Sequence, residues 1–303
     1  MDSGQGMRVV ECVPNFSEGR RPEVVADIVA AITSVQGVRL LDFSSDASHN
    51  RSVVTFVGTP EAVEAAAFAG IARARDLIDI EQHHGEHPRL GATDVVPFVP
   101  IAGVTMAECV DMAHSLGRRV GRELEIPVYL YEEAATRPER RNLADVRRGE
   151  YEGLKLTIGT PERAPDFGPP SVHPTAGATV IGARMPLIAF NVNLGTSDIE
   201  TAKKIAKAVR GSSGGLVYVK ALGVMLEEKH VAQVSMNLVN YVKTPIHRVL
   251  EMVRREAARY GVAVIETELI GLTPLDAVLD TAAYYLQLPK LSRNQVIEAR
   301  IWE

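Results

Sequence analysis

A short polar segment, residues 81–91, carries a dense group of side chains that can move protons. It reads Glu-Gln-His-His-Gly-Glu-His-Pro-Arg-Leu-Gly and contains His83, His84 and His87, three of the eight histidines in the chain. An imidazole can both accept and donate a proton near neutral pH, and the neighbouring Glu86 can orient the ring of His87. The segment therefore predicts an acid–base site, although a histidine-rich loop that is merely exposed to solvent has the same composition.

The same histidines also suggest a second kind of site, one for a metal ion. They lack the His-Glu-x-x-His spacing that places two imidazoles on one face of a helix in zinc enzymes. Asp94 or His49 would have to complete the ligand set. A metal centre stays open as an alternative, and the spacing favours chemistry without a metal.

Two further segments have the composition of anion-binding sites. Residues 42–51 join two predicted strands and are more polar than a hairpin requires, and Arg51 can offer parallel N–H donors to a carboxylate. Residues 17–19 (Ser-Glu-Gly) precede a predicted helix N-terminus, where an anion is favoured. An ordinary turn explains residues 42–51 equally well, and a plain strand-to-helix turn is favoured for residues 17–19.

The elements that must position these residues follow one order in each half of the chain. Apolar and β-branched runs predict strands at 9–16, 38–43, 52–58 and 94–99 and, in the second half, at 187–194, 216–222, 231–238 and 262–266. Helices are predicted from Pro22, Thr59, Ser197 and Thr244. Strand, helix, strand, strand, helix, strand is the order of a ferredoxin-like unit. The sequence therefore predicts an α+β fold of two ferredoxin-like βαββαβ subdomains related by duplication.

The first half departs from this repeat by an insertion at residues 79–91 and by an extra helix, which the capping box Thr105 to Glu108 predicts. Residues 137–148 are highly charged and are predicted to be an exposed surface segment. Residues 163–177 are rich in proline and are predicted to cross between the halves. We therefore expect an N-terminal subdomain at 1–176 and a C-terminal subdomain at 177–303.

The bulk composition excludes several classes of partner. Lys and Arg number 33 against 38 Asp and Glu, for a formal charge of −5, so we expect no nucleic-acid or membrane-surface binding. No apolar run approaches the roughly 18 residues of a membrane span. The two cysteines favour a reduced, cytoplasmic location. Residues 1–6 lack a signal-peptide pattern and are interpreted as a flexible leader.

Several motifs, in one order along the chain, together resemble the formiminotransferase domain family. The resemblance runs from about residue 8 to about residue 286. The motifs are residues 10–19 (Val-Glu-Cys-Val-Pro-Asn-Phe-Ser-Glu-Gly), the Asn50-Arg51 turn, residues 85–92 (Gly-Glu-His-Pro-Arg-Leu-Gly-Ala) with Asp94-Val95, residues 164–169 (Ala-Pro-Asp-Phe-Gly-Pro) and residues 182–184 (Gly-Ala-Arg). The chain is expected to be a stand-alone form, without a cyclodeaminase domain.

The resemblance implies a reaction. The formimino group of N-formimino-L-glutamate passes to the 5-nitrogen of tetrahydrofolate, and L-glutamate is released during histidine degradation. Tetrahydrofolate is then a co-substrate, and no metal is expected. A ligand groove between the two subdomains and a homodimer are also implied.

The resemblance also implies roles for particular residues. His87 matches the catalytic histidine of the Gly-Glu-His-Pro-Arg motif and is expected to act as general base and then general acid, with a pKa of about 6 to 7. Both substrates carry glutamate carboxylates, so Arg51, Arg89 and Arg184 are candidate donors to them, and Glu86 is a candidate orienting group. The implied folate-binding segment consists of Gly168, Pro169, Pro170, Ser171, Val172, His173, Pro174, Thr175, Ala176 and Gly177. Because this segment is interpreted as a ligand surface, valine at its two glycines is expected to weaken folate binding without loss of stability.

Two other functions stay open at the level of sequence. One is a metal-dependent amidohydrolase that removes a formyl or formimino group from glutamate with water, which metal analysis and a chelator test would separate from a transferase. The other is a non-enzymatic module that binds folate or an amino acid, which tight folate binding without turnover would indicate.

Overall fold

The computed structural model describes residues 7–301, so the expected leader at residues 1–6 lies outside the described residues. The chain divides into two compact units, Met1–Arg184 and Met185–Glu303. The described residues form a seven-stranded sheet and a four-stranded sheet, together with α-helices. The predicted mixed α+β class is therefore confirmed. Within residues 7–301, no helix is both long and apolar enough to cross a membrane.

The first unit alternates strands and helices and ends on a strand. Its elements are β1 (Val9–Cys12), β2 (Asn15–Phe16), α1 (Pro22–Thr33), β3 (Arg39–Asp46), β4 (Arg51–Gly58), α2 (Pro60–Leu77), β5 (Thr93–Ala102), α3 (Met106–Glu123), β6 (Val128–Glu132), α4 (Leu143–Val146), α5 (Glu150–Thr157) and β7 (Thr179–Ala183). Thr105 and Glu108 cap α3 reciprocally, which confirms the predicted capping box.

The sheet of the first unit runs β3, β4, β1 with β2, β5, β7, β6. The predicted strand at residues 9–16 is interrupted between Cys12 and Asn15, where Pro14 cannot donate to the ladder. Both pieces nevertheless pair antiparallel with β4 and β5. Beyond β5, strands β7 and β6 pair in parallel.

Both faces of this sheet carry apolar residues, since successive side chains on a strand point to opposite sides. Val96 and Phe98 belong to the core cluster that includes α1, α2 and α3. Val95, Tyr129 and Tyr131 belong to a separate cluster that includes residues of α4 and α5. The second cluster covers only part of its face, and polar side chains occupy the rest.

The second unit consists of β8 (Ile188–Leu194), α6 (Ile199–Val209), β9 (Val219–Leu226), β10 (Val231–Leu238), α7 (Ile246–Ala258), β11 (Val264–Ile270), α8 (Leu275–Tyr285) and α9 (Ile297–Ile301). Its antiparallel sheet has the order β11, β8, β10, β9. Relative to chain order this is fourth, first, third, second. Strands β5, β1 with β2, β4 and β3 of the first unit lie in the same order.

Several boundaries differ from those predicted. The units divide after Arg184 rather than at 176/177, because β7 pairs with β5 and β6 of the first sheet. Helix α6 is capped by Asp198, whose side chain accepts from Glu200, rather than by Ser197. Strands β9 and β11 begin and end a few residues later than predicted.

The prediction that residues 137–148 form an exposed surface segment holds for only part of the segment, because Glu139, Arg141 and Arg148 are exposed but two other arginines are largely buried. The side chain of Arg140 is only 5% exposed and donates to Asp166 at 2.6 Å. The side chain of Arg147 is 14% exposed and pairs with the buried Asp94. A run of charges predicts a solvated surface only when the protein offers no buried partners, and here it offers two carboxylates.

The expectation that Gly168 and Gly177 tolerate valine is also contradicted. Their φ angles are +84° and +66°, in the left-handed region that favours glycine. An added Cβ would lie 2.7 Å from the carbonyl oxygen of Ile126 and 2.5 Å from that of Leu90, respectively. Both glycines are therefore required by the fold itself.

We predict that Gly177→Ala lowers the free energy of unfolding by about 2 to 5 kcal/mol, through left-handed strain and a backbone clash. Gly153 in α5 is the matched control, because a Cβ there meets no atom within 4 Å, and Gly153→Ala should be neutral or stabilising by up to about 1 kcal/mol. Denaturant unfolding measures both variants. Equal stability of the two variants would show that the fold does not require glycine at position 177.

Candidate active site

Asn50, between β3 and β4, fastens three loops together. It has a left-handed backbone with φ +47° and is 8% exposed. Its Oδ1 accepts from the Gly19 backbone N–H at 2.9 Å, and its Nδ2 donates to the His84 carbonyl at 3.1 Å. Its own carbonyl accepts from Nε2 of His83 at 2.8 Å. Asparagine suits this position because it tolerates the left-handed region better than other residues that carry a side chain.

His83 is a structural residue. It is 6% exposed, and its Nδ1 accepts from Nε of Arg89 at 3.2 Å. With Nε2 donating to Asn50, the ring is the neutral Nε2–H tautomer. Burial, the largest cause, lowers the pKa of His83 from its ordinary value.

Arg89 holds the same loop from its other side. Its guanidinium donates to Glu150 at 3.1 Å and to Glu152 at 2.7 Å, besides its bonds to His83. Its backbone carbonyl accepts from the Tyr151 N–H at 2.9 Å. Arg89 therefore ties the loop to α5 and is already paired with two carboxylates.

His87 lies between these fastened residues in a different environment. It is half-buried, and its ring makes no hydrogen bond with any residue of the described part of the chain. Burial, followed by the positive charges of Arg147 and Arg51, lowers the pKa of His87 to about 3. His49 and His83 act in the same direction to a smaller extent. At neutral pH the ring is therefore neutral, and it has no partner within residues 7–301.

The other residues of this loop have lesser roles. His84 and Glu86 are exposed, and the carboxylate of Glu86 makes no hydrogen bond to His87 or to another residue that the structure describes. Within residues 7–301, no three His, Cys, Asp or Glu side chains are grouped so that they could hold a metal ion. The ring nitrogens of His83 are both engaged, so His83 does not present a ligand atom as the metal alternative requires.

Arg147 and Arg51 are the two charged residues that lower the pKa of His87 most. Arg51 starts β4 and donates through Nη1 to Oδ1 of Asn15 at 3.4 Å. Arg147 follows α4 and pairs with Asp94, which is 1% exposed. Asp94 also accepts from the Leu90 N–H at 3.0 Å. The sequence pointed to Arg51, but it gave no signal for Arg147, whose partner lies 53 residues away.

Arg184 lies at the end of β7 and belongs to another group of polar residues. It hydrogen-bonds the buried Tyr131 and lies close to Glu11. Burial raises the pKa of Glu11, and the positive charge of Arg184 opposes that rise. The charges of Arg184 and, to a smaller extent, Arg147 both act to lower the pKa of the buried Tyr131.

Residues 168–177 are joined to the histidine loop by backbone hydrogen bonds. The Thr175 carbonyl accepts from Ile80 at 2.8 Å, and the Ala176 carbonyl accepts from Ala92 at 2.9 Å. Ala176 and Gly177 are buried, whereas Pro170, Ser171, Pro174 and Thr175 are exposed. The structure thus brings the segment next to the loop of His87, and residues 168–175 are exposed or partly exposed whereas Ala176 and Gly177 are not.

Comparisons with known proteins agree with this arrangement. A family model described as "Formiminotransferase domain, N-terminal subdomain" matches residues 9–184, and a model described as "Formiminotransferase domain" matches residues 189–301. The boundary between the two matches falls where the structure divides the chain.

Three curated relatives are similar along nearly the whole chain. A glutamate formimidoyltransferase from Streptococcus pyogenes serotype M1 is 54% identical over 96% of this chain and 98% of its own length. Another, from Thermoplasma acidophilum, is 53% identical over 97% of this chain and 98% of its own length. The formimidoyltransferase-cyclodeaminase of Rattus norvegicus is 48% identical over 94% of this chain, which corresponds to 53% of the rat protein.

We predict that Asn50→Gly lowers the free energy of unfolding by about 2 to 4 kcal/mol, because two hydrogen-bond partners lose their acceptor or donor. Asn50→Ala should cost about 1 to 2 kcal/mol more, because alanine is also strained in the left-handed region. Chemical denaturation measures stability, and amide hydrogen exchange in residues 83–92 reports on the loop. A glycine variant with unchanged stability and unchanged exchange would show that Asn50 does not hold the loop.

Proposed function

This chain belongs to the formiminotransferase family, and we propose that it transfers the formimino group of N-formimino-L-glutamate to the 5-nitrogen of tetrahydrofolate. The products are 5-formiminotetrahydrofolate and L-glutamate, in the degradation of histidine. The observation that carries this proposal is the identity of 54% and 53% to two glutamate formimidoyltransferases over nearly their full length. Tetrahydrofolate acts as a co-substrate.

The reaction needs one group that takes a proton and returns it. The 5-nitrogen of tetrahydrofolate attacks the formimino carbon and loses its proton to a base as the new C–N bond forms. The C–N bond to glutamate then breaks, and the leaving nitrogen takes up a proton. A neutral imidazole can perform both steps in turn, which is worth about 100- to 10,000-fold in rate, and we assign this role to His87.

The environment of His87 explains why substrate must be present before the base is effective. Burial, followed by the charges of two arginines, lowers the pKa of the ring to about 3, below the expected range of about 6 to 7. A base with so low a pKa takes a proton poorly at neutral pH. Carboxylates of the bound substrates offset the arginine charges and raise the pKa toward the working range.

The proposed binding residues differ in how available they are. Arg51 is the candidate for a substrate carboxylate, and Arg184 the candidate for a second one, beside Tyr131. Arg89 is engaged by Glu150 and Glu152, so its role is to position the loop. Glu86 is exposed and can orient the ring of His87 only after the loop moves.

We place tetrahydrofolate against the accessible middle of the folate-binding segment, residues 170–175. The buried Ala176 and Gly177 follow this surface along the chain. Gly168, with its left-handed backbone, precedes it. We further propose that the two units are ferredoxin-like copies of one architecture, because their strands share the same order. A homodimer in the cytoplasm is the expected form of the enzyme.

We predict that His87→Ala lowers turnover about 100- to 10,000-fold, with tetrahydrofolate affinity largely kept. His84→Ala is the matched control, since His84 is exposed in the same loop, and it should stay within a few-fold of wild type. The assay follows 5-formiminotetrahydrofolate formation by absorbance. His83→Ala should mainly lower stability, because His83 fastens Arg89 to Asn50.

Two results of this assay would contradict the assignment. A folded His87→Ala enzyme with near wild-type turnover would remove His87 from the mechanism. Loss of turnover in His84→Ala, with His87→Ala active, would transfer the role to His84. Thermal unfolding of each variant shows whether a loss of turnover reflects chemistry or folding.

A further inference from the structure

Two guanidinium groups act on His87, and one of them, that of Arg147, pairs with a buried carboxylate. Arg147 donates through Nε to Oδ1 of Asp94 at 3.4 Å and pairs through Nη2 with Oδ2. The side chain of Asp94 is 1% exposed and that of Arg147 is 14% exposed. Asp94 therefore pairs with Arg147, whereas Arg51 forms no ion pair within residues 7–301 and is only attracted at longer range by Asp46 and Asp94.

Arg51 has no ion-pair partner within residues 7–301, and its hydrogen bonding is incomplete. The Nε atom is buried and has no partner among residues 7–301, and the bond from Nη1 to Asn15 is long at 3.4 Å. Burial, followed by the charge of Arg147, lowers the pKa of Arg51 from its ordinary value. A buried donor without a partner is unfavourable, so this arrangement is one that an anion would stabilise.

The strands bring these two arginines to one place. Asn15, the partner of Arg51, lies on β2 directly opposite Val95 of β5. Asp94, the partner of Arg147, immediately precedes Val95 on that strand. Both guanidinium groups therefore gather at the start of β5, three residues after the loop of His87 ends.

We propose that Arg147 and Arg51 together form the subsite that binds one carboxylate of the glutamate donor beside His87, and that Asp94 holds Arg147 in position. This proposal rests on the proposed function and adds Arg147, which no pattern in the sequence indicated. A carboxylate can accept parallel N–H donors from a guanidinium fork. The substrate carboxylate would accept a hydrogen bond from Nε of Arg51 and would form an ion pair with that guanidinium.

This subsite couples binding of the donor to the base. The titratable and charged groups that act on His87 are Arg147, Arg51, His49 and His83. Neutralising the two arginines removes the repulsion that opposes protonation of the ring. Binding of glutamate should therefore raise the pKa of His87 and, reciprocally, should become tighter as the pH falls.

The experiment measures binding of L-glutamate, the reaction product, by calorimetry to wild-type protein and to variants. Arg147→Met should weaken L-glutamate binding about 10- to 100-fold, since it removes a charge-assisted bidentate contact, and tetrahydrofolate affinity should change little. Arg148→Met is the matched control. Arg148 is the next residue, its side chain is 79% exposed, and it pairs with Asp145 rather than with Asp94. The L-glutamate affinity of Arg148→Met should therefore equal that of wild type.

A second variant protects the test against misfolding. Arg147→Met alone leaves the buried Asp94 without its counter-ion, which can prevent folding. The double variant Asp94→Asn with Arg147→Met removes both charges and keeps the side-chain volumes similar. It should fold and show the same loss of L-glutamate affinity as the single variant.

A spectroscopic measurement separates a binding role from a structural one. In protein with isotope-labelled histidine, assigned with His87→Gln, NMR titration should show that L-glutamate raises the pKa of His87 in wild type and in Arg148→Met. The rise should be absent in the double variant.

The outcomes separate this inference from the proposed function. Wild-type turnover of N-formimino-L-glutamate, combined with unchanged L-glutamate affinity in the folded double variant, would overturn the subsite and leave the function intact. Absence of both turnover and L-glutamate binding in wild type would overturn the function and the subsite together. Turnover, weakened L-glutamate binding and loss of the pKa response would establish the subsite.

Discussion

The architecture around His87 depends on one left-handed asparagine. Asn50 is the point where the segment after β2, the β3–β4 turn and the histidine loop are held to one another through two side-chain bonds and one backbone carbonyl. None of these loops has regular structure of its own at the point of contact. A small change at Asn50 would therefore displace several groups at once, including His87, which follows the fastened residues His83 and His84.

The second constraint is electrostatic and follows from the first. Once the loops are fixed, Arg147 pairs with the buried Asp94, whereas Arg51 receives only longer-range attraction from Asp46 and Asp94. Burial and, after it, the charges of the two arginines keep the pKa of His87 low. Two neighbouring cations are unfavourable to the folded protein, and an anion that bound them would relieve their repulsion. This is the expected behaviour of a site organised for anionic substrates rather than for stability.

Much of the fold was predictable because it depends on local signals. The capping box at Thr105 and the two series of strands and helices are properties of short segments. Arg147 was not predictable, because its burial depends on Asp94, 53 residues away in sequence. Strand β7 was missed for a related reason, since its parallel pairing follows a long crossing. His87 was proposed as the catalytic residue because its motif is local and specific.

The proposed reaction passes the one-carbon group from glutamate to tetrahydrofolate and not to water. The most direct measurement is ¹³C NMR of N-formimino-L-glutamate labelled at the formimino carbon, with purified protein and tetrahydrofolate. We expect the label to move to the folate adduct as L-glutamate appears in equal amount, and we expect neither change without tetrahydrofolate. Release of the label as formamide, at a rate that does not depend on tetrahydrofolate, would contradict transfer to folate.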